Sequence, residues 1–132
     1  GVDVDRYLKS GQLRILTSEE SYLQGGRFDA DTMVSFWLSA VNESLKEGYT
    51  GLRVTGEATW VLRELKDLDE FLRYEAMLHE AVRNLPVKFL CQYNTKRFFG
   101  NVVVKVLQTH PRVMLGLDLY ENPFCEPVEV PA

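Results

Sequence analysis

Two kinds of hydrophobic spacing alternate along this chain, and that alternation restricts the fold more than any other feature. Short apolar or alternating runs, such as Gly51 to Glu57 (GLRVTGE) and Val87 to Tyr93 (VKFLCQY), are separated by longer stretches with apolar residues every three to four positions. The first spacing suits a strand and the second an amphipathic helix. Strands joined through helices run parallel, because the crossover returns the chain to the same end of the sheet. The expectation is an α/β fold, a three-layer arrangement with a mostly parallel sheet and flanking helices.

The elements follow in order. Asp3 to Ser10 reads as a helix tail stopped by Gly11, and Gln12 to Thr17 (QLRILT) as a first short strand. Thr17-Ser18-Glu19-Glu20 has capping-box spacing, with Thr17 as the cap and Glu20 reaching back. After the Gly25-Gly26-Arg27 loop, Asp29 or Asp31 caps a helix in which Met33, Trp37, Val41 and Leu45 recur, with Gly48 as its left-handed stop. Gly51 to Glu57 is the second strand, and Thr59 to Leu65 is ambiguous. Asp67 or Asp69 opens a helix with Phe71, Leu72, Glu75, Leu78, Val82 and Leu85 on one rough face, closed by Pro86. Val87 to Tyr93 is the third strand. Asn101 caps a helix ended by His110-Pro111, Val113 to Tyr120 (VMLGLDLY) is a fourth strand, and an extended tail begins near 121.

Composition narrows the classes of function. The 132 residues fit one domain, with 45% hydrophobic and 26% charged content in the ordinary globular range. A net charge of −4 argues against a general nucleic-acid grip, which needs clustered cations. No apolar run approaches the ~20 residues that cross a bilayer, so no membrane contact is expected and the location expected is cytoplasmic. Cys91 and Cys125 are too few for a disulfide framework and too few for a zinc site. The chain begins at Gly1 rather than an initiator Met, so a longer protein is expected around it.

Catalytic motifs are missing. There is no glycine-rich dinucleotide fingerprint and no Walker-type phosphate loop. Gly25, Gly26 and Arg27, ahead of a helix, offer an anion-binding loop or a plain turn. Glu75 and His79 have the spacing of a surface pair on a helix, and His110 that of a helix-end residue. Cys91 reads as a buried, inert cysteine beside Phe89. No catalytic residue, metal or cofactor is assigned.

The strand ends are richer. In an open parallel sheet, ligands bind beyond the C-terminal ends of the strands. Arg53, Thr55 and Glu57 project from one side of the second strand, either as an internal ion pair between Arg53 and Glu57 or as ligand contacts. Trp60 is a pocket wall or a core residue, and Tyr93 ends the third strand. The candidate ligand contacts are Arg53, Thr55, Glu57, Trp60, Tyr93 and, within its strand, Cys91.

The string GLRVTGEATW, from Gly51 to Trp60, resembles the MEDS domain, named for the sensory domain of methanogens, methylotrophs and the DcmR regulator. SGQLRIL with Glu19-Glu20, YLQGGRFD, LCQYNTKRF, the Thr109-His110-Pro111 corner and YENPF match in the same order. The resemblance implies a RecA/KaiC-like fold without the phosphate loop, in which Glu57 stands near the place of the Walker B acid. It also implies that the chain is N-terminally truncated, lacking two βα units, so that an open sheet edge favours a homodimer. The function implied is a non-catalytic sensor attached to a histidine kinase or transcriptional regulator and other signalling domains. Its ligand would be a small hydrocarbon-derived or one-carbon compound. The alternatives are a degenerate nucleotide-binding ATPase-like domain and a pure dimerisation module.

Overall fold

The computed structural model describes residues 1–63 and 68–126. Four helices and four strands follow in the order α1 (Val4–Lys9), α2 (Ala30–Lys46), β1 (Leu52–Glu57), α3 (Leu68–Val82), β2 (Val87–Gln92), α4 (Gly100–Thr109), β3 (Arg112–Leu115) and β4 (Asp118–Glu121). Strands β1 and β2 pair in parallel, from Leu52 opposite Val87 to Glu57 opposite Gln92. Helix α3 is their crossover, as the alternation of periods requires. The class is mixed α/β.

Local chemistry sets the helix limits. Asp29 Oδ1 accepts from the Thr32 amide at 2.8 Å and starts α2. At its far end Gly48, with φ +92°, lets the Tyr49 amide reach the Ser44 carbonyl at 3.0 Å and the Gly48 amide reach Leu45. Helix α4 begins two residues earlier than expected. Phe99, not Asn101, stands at its cap position, and no side chain accepts there. The 3-10 turn Thr59–Arg63 resolves the ambiguous segment as far as Arg63. The helix start expected at Asp67 and the last residues of the tail lie outside the described residues.

Two expected strands are corrected. Gln12 to Thr17 forms no strand and joins neither sheet among the described residues; the Leu13 amide turns back to the Tyr7 carbonyl at 3.0 Å instead of entering a ladder, and Leu13, Ile15 and Leu16 stay exposed. The run Val113 to Tyr120 is two strands, not one. Gly116, with φ +64°, reverses the chain, and β3 pairs antiparallel with β4, Arg112 opposite Glu121. That hairpin stays largely exposed, including Leu117 and Leu119.

The core lies on one face of β1–β2. Met33, Val34, Trp37 and Val41 of α2 and Phe71, Tyr74 and Leu78 of α3 are buried, and Val54 and Phe89 pack against them from the sheet. Leu45, expected to end the α2 stripe, is exposed. The aromatic rings interlock, with Trp37 edge-on to Phe89 at 5.4 Å and Phe28 and Trp60 at 5.4 Å. Trp37 Nε1 donates to the Tyr74 hydroxyl at 2.8 Å, so that buried donor is satisfied. On the opposite face Arg53, Thr55, Glu57, Lys88, Leu90 and Gln92 are all exposed.

Candidate functional site

The C-terminal ends of the parallel strands open into a cleft of about 410 Å³, lined by Ser18, Glu57, Thr59, Trp60, Leu62, Arg63 and Arg97. Each wall has a local cause. Strand β1 delivers Glu57, whose carboxylate accepts from the Thr59 amide at 3.0 Å and from the Thr59 hydroxyl, turning the chain into the 3-10 segment. That segment buries Trp60, 6% exposed, and presents Arg63. Stacking with Tyr22, ring centroids 4.8 Å apart, fixes the indole plane. Trp60 Nε1 is buried and has no hydrogen-bond partner.

The opposite wall comes from the Thr17–Glu20 turn. The capping box forms in full: the Glu20 amide donates to Thr17 Oγ1 at 3.2 Å, and the Thr17 amide to Glu20 Oε2 at 2.8 Å. This turn holds Ser18, whose Oγ accepts from Arg63 Nη2 at 3.1 Å, while Glu19 lies 3.5 Å from the same guanidinium. The Glu19 carboxyl sits below its usual range, first through its own backbone amide, then through Ser18, with Arg63 adding to both. The rim is thus charged and wet, around an aromatic floor.

A second polar assembly lies on the covered face. Glu75 of α3 is 5% exposed, and its Oε2 stands 3.1 Å from His110 Nε2 at the end of α4. His110 Nδ1 is 2.8 Å from the Val106 carbonyl oxygen, an acceptor only, so Nδ1 carries a hydrogen. Asn122 donates to the carbonyls of Leu107, at 2.6 Å, and His110, at 2.7 Å, fixing the corner from behind. Burial opposes the charged imidazole, but the Glu75 carboxylate and the Val106 carbonyl outweigh it, and the His110 pKa lies above its ordinary value. Cys91 joins from β2: its Sγ, a Glu75 carboxylate oxygen and a His110 ring nitrogen all lie within 4.8 Å of one another. Burial pushes the Cys91 thiol up strongly, and the neighbouring Glu75 charge pushes it further. The Tyr93 hydroxyl is also buried, with no hydrogen bond of good geometry among the described residues, and burial followed by the charge of Glu75 pushes it up as well.

The residues singled out in the sequence therefore divide. Glu57 and Trp60 meet in the cleft. Arg53 and Thr55 lie on the open face, where Thr55 Oγ1 accepts from Gln92 at 2.9 Å. Arg53 and Glu57 form no ion pair with each other. Cys91 and Tyr93 point the other way, into the covered side. Gly25 and Gly26 adopt φ +80° and +84°, and Arg27 follows them beside a smaller cleft of about 230 Å³. Near this loop the amides of Thr32 and Ala30 already have carboxylate partners, Asp29 and Glu70.

Glu75 and His79 are not the surface pair their spacing suggested, since Glu75 is buried and joined to His110. Sequence spacing missed that pair because its members lie on different elements. One signal was present: Glu75 falls on the apolar face that carries Phe71 and Leu78, where an ionisable group needs a partner. Arg63 was missed as a cleft residue for a similar reason, since only the fold brings its loop to the strand ends.

Among the described residues no helix is long and apolar enough to cross a membrane. Comparison with known proteins finds no match among curated sequences and none among solved structures. Comparison with protein families finds one match: the profile described as MEDS, MEthanogen/methylotroph, DcmR Sensory domain, covers residues 1–111. That span includes α1 to α4, the strand-end cleft and the Glu75–Cys91–His110 cluster. The chain belongs to the MEDS family of sensory domains.

Proposed function

We propose that this domain is the non-catalytic sensor of a cytoplasmic signalling protein, with a histidine kinase or transcriptional regulator as its output. In this reading a small hydrocarbon-derived or one-carbon compound binds in the strand-end cleft. The observation that carries it is the cleft itself, which gathers the aromatic wall of Trp60 and the polar atoms of Glu57, Thr59 and Arg97 at the ends of parallel strands. Its volume leaves room for a small molecule and accompanying water. A RecA/KaiC-like, three-layer arrangement belongs to the same proposal: β1 and β2 are two parallel strands of it, and the exposed Arg53 to Gln92 face is where a further layer would pack.

A thermal-shift panel of halogenated and methylated one-carbon compounds, run beside ATP, tests the reading. Ligand at about a hundred times its dissociation constant should stabilise the protein by about 2.7 kcal/mol. Arg97→Ala and Thr59→Ala should reduce that shift. A response to ATP alone would favour the degenerate nucleotide-binding reading instead.

A second reading, a homodimerisation module, is favoured by the open face. Leu90 stands 44% exposed at its centre, among Arg53, Lys88 and Gln92. A dimer that Leu90→Lys dissociates, together with a flat ligand panel, would select it over the sensor.

A further inference from the structure

We infer that Glu75, Cys91 and His110 form a binding site for a divalent transition metal of the zinc class. The inference is independent of the ligand reading, because the cluster lies on the covered side of the sheet and shares no residue with the strand-end cleft.

Convergence is the first observation. A carboxylate from α3, a sulfur from the middle of β2 and an imidazole from the end of α4 meet with their ligand atoms within 4.8 Å of one another. Bonds to zinc of about 2.0–2.3 Å place tetrahedral ligands roughly 3.3–3.8 Å apart, so a small closure completes the geometry.

The second observation concerns His110. Its Nδ1 lies 2.8 Å from the Val106 carbonyl oxygen and 3.0 Å from Thr109 Oγ1, so in the tautomer with the hydrogen on Nδ1 the neutral ring offers Nε2 as a ligand. That atom faces a carboxylate oxygen at 3.1 Å. At that separation one cation can serve both atoms, a proton on the imidazole or a metal ion held by the two together. A backbone carbonyl that fixes the ring tautomer is the usual outer support of a metal-binding histidine.

Third, the Tyr93 hydroxyl is buried on the Glu75 side of the cluster, where the Glu75 charge acts on it, and among the described residues it makes no hydrogen bond of good geometry. Its ring lies edge-on to His110 at 6.0 Å. Three protein ligands leave one tetrahedral position open, for water or for this hydroxyl. The ligand chemistry selects the ion. Thiolate and imidazole suit zinc, cobalt, copper or iron, whereas magnesium and calcium call for all-oxygen sites. Two anionic ligands also balance a divalent charge in a medium where uncompensated charge is costly.

Cobalt(II) substitution tests the site. The protein, stripped with a chelator and titrated with Co²⁺, should develop a thiolate-to-cobalt charge-transfer band in the near ultraviolet, saturating at one ion per chain and bleached by Zn²⁺. Cys91→Ser should remove the band, and His110→Gln should weaken binding on the order of 100-fold, in proportion to the loss of a direct ligand. His79→Gln, outside the cluster, should bind as the parent does. A second readout needs no variant: Zn²⁺ should slow alkylation of Cys91, measured by peptide mass, and leave Cys125 unaffected. Absence of the charge-transfer band, with Cys91 alkylated equally fast with and without Zn²⁺, would overturn the site and leave a proton between Glu75 and His110.

Discussion

The two faces of the β1–β2 sheet are made from alternate residues of the same strands, yet their polar groups live under opposite conditions. On the open face Arg53, Thr55, Glu57, Lys88 and Gln92 keep their water, and Gln92 to Thr55 is the cross-strand contact between them. On the covered face Val54, Phe89 and Cys91 meet α2 and α3, where Glu75 and His110 have little water and have each other. A charge left in water needs no partner, whereas a charge taken from water needs a cation, a proton or several hydrogen bonds. The polar residues conspicuous in the sequence are on the face where polarity is inexpensive. Those that demand an explanation are on the other.

Truncation of the covered side should give the largest effect. Phe71 is 3% exposed and contacts Phe28, Trp60, Tyr74 and Tyr93 rings. Phe71→Ala should destabilise the domain by about 3–5 kcal/mol in urea unfolding. A loss below ~1 kcal/mol would mean that the aromatic cluster is not the core. Next comes the entry to β1. A Cβ on Gly51 would stand 2.4 Å from the Pro86 backbone oxygen, which cannot rotate away as a side chain does. Gly51→Ala should cost about 1–3 kcal/mol by forcing β1 and the α3–β2 turn apart; an unchanged denaturation midpoint would show that the turn yields freely.

The buried pair also predicts a pH response. His110 has a folded pKa above its unfolded value of ~6.5, so the folded state binds more protons just above that pH. Its contribution to stability is full below ~6.5 and is lost as pH rises through the folded pKa. Chelator-stripped protein should therefore weaken from pH 6.5 toward 8, and His110→Gln should flatten this slope. An equal slope in both proteins would place the titrating group elsewhere. The smallest effect belongs to the open face: Arg53→Ala and Thr55→Ala should each stay within about 0.5 kcal/mol of the parent. A loss of several kcal/mol from either would show that this face is covered in solution.

The legible parts of the fold were local ones. Asp29 and Gly48 bound α2, and Thr17 with Glu20 forms a capping box, because each motif is completed within a few residues. The β1–α3–β2 unit was also visible, since its two periods are written along the chain. Gln12 to Thr17 has a strand's composition, but a strand is a relation between two segments, and among the described residues none pairs with it. Val113 to Tyr120 looked continuous because Gly116 carries no side chain to interrupt the apolar pattern, yet its positive φ turns the chain. The strand-end cleft was half legible. Glu57 and Trp60 follow from the β1 motif and Arg97 from the turn after the third strand, whereas Arg63 enters only through tertiary placement. Cys91, read as an inert strand cysteine, acquires its neighbours from α3 and α4.

The contrast between the faces reduces to two glutamates. Glu75 and Glu57 can each be changed to Gln, which preserves shape and removes the charge. Urea unfolding of chelator-stripped protein at pH 6.5 should show Glu75→Gln destabilised by about 3 kcal/mol, as for the loss of one partner from a buried pair. Glu57→Gln should remain within about 0.5 kcal/mol of the parent. Equal losses, or a larger loss for Glu57→Gln, would contradict the assignment of the buried chemistry to the covered face.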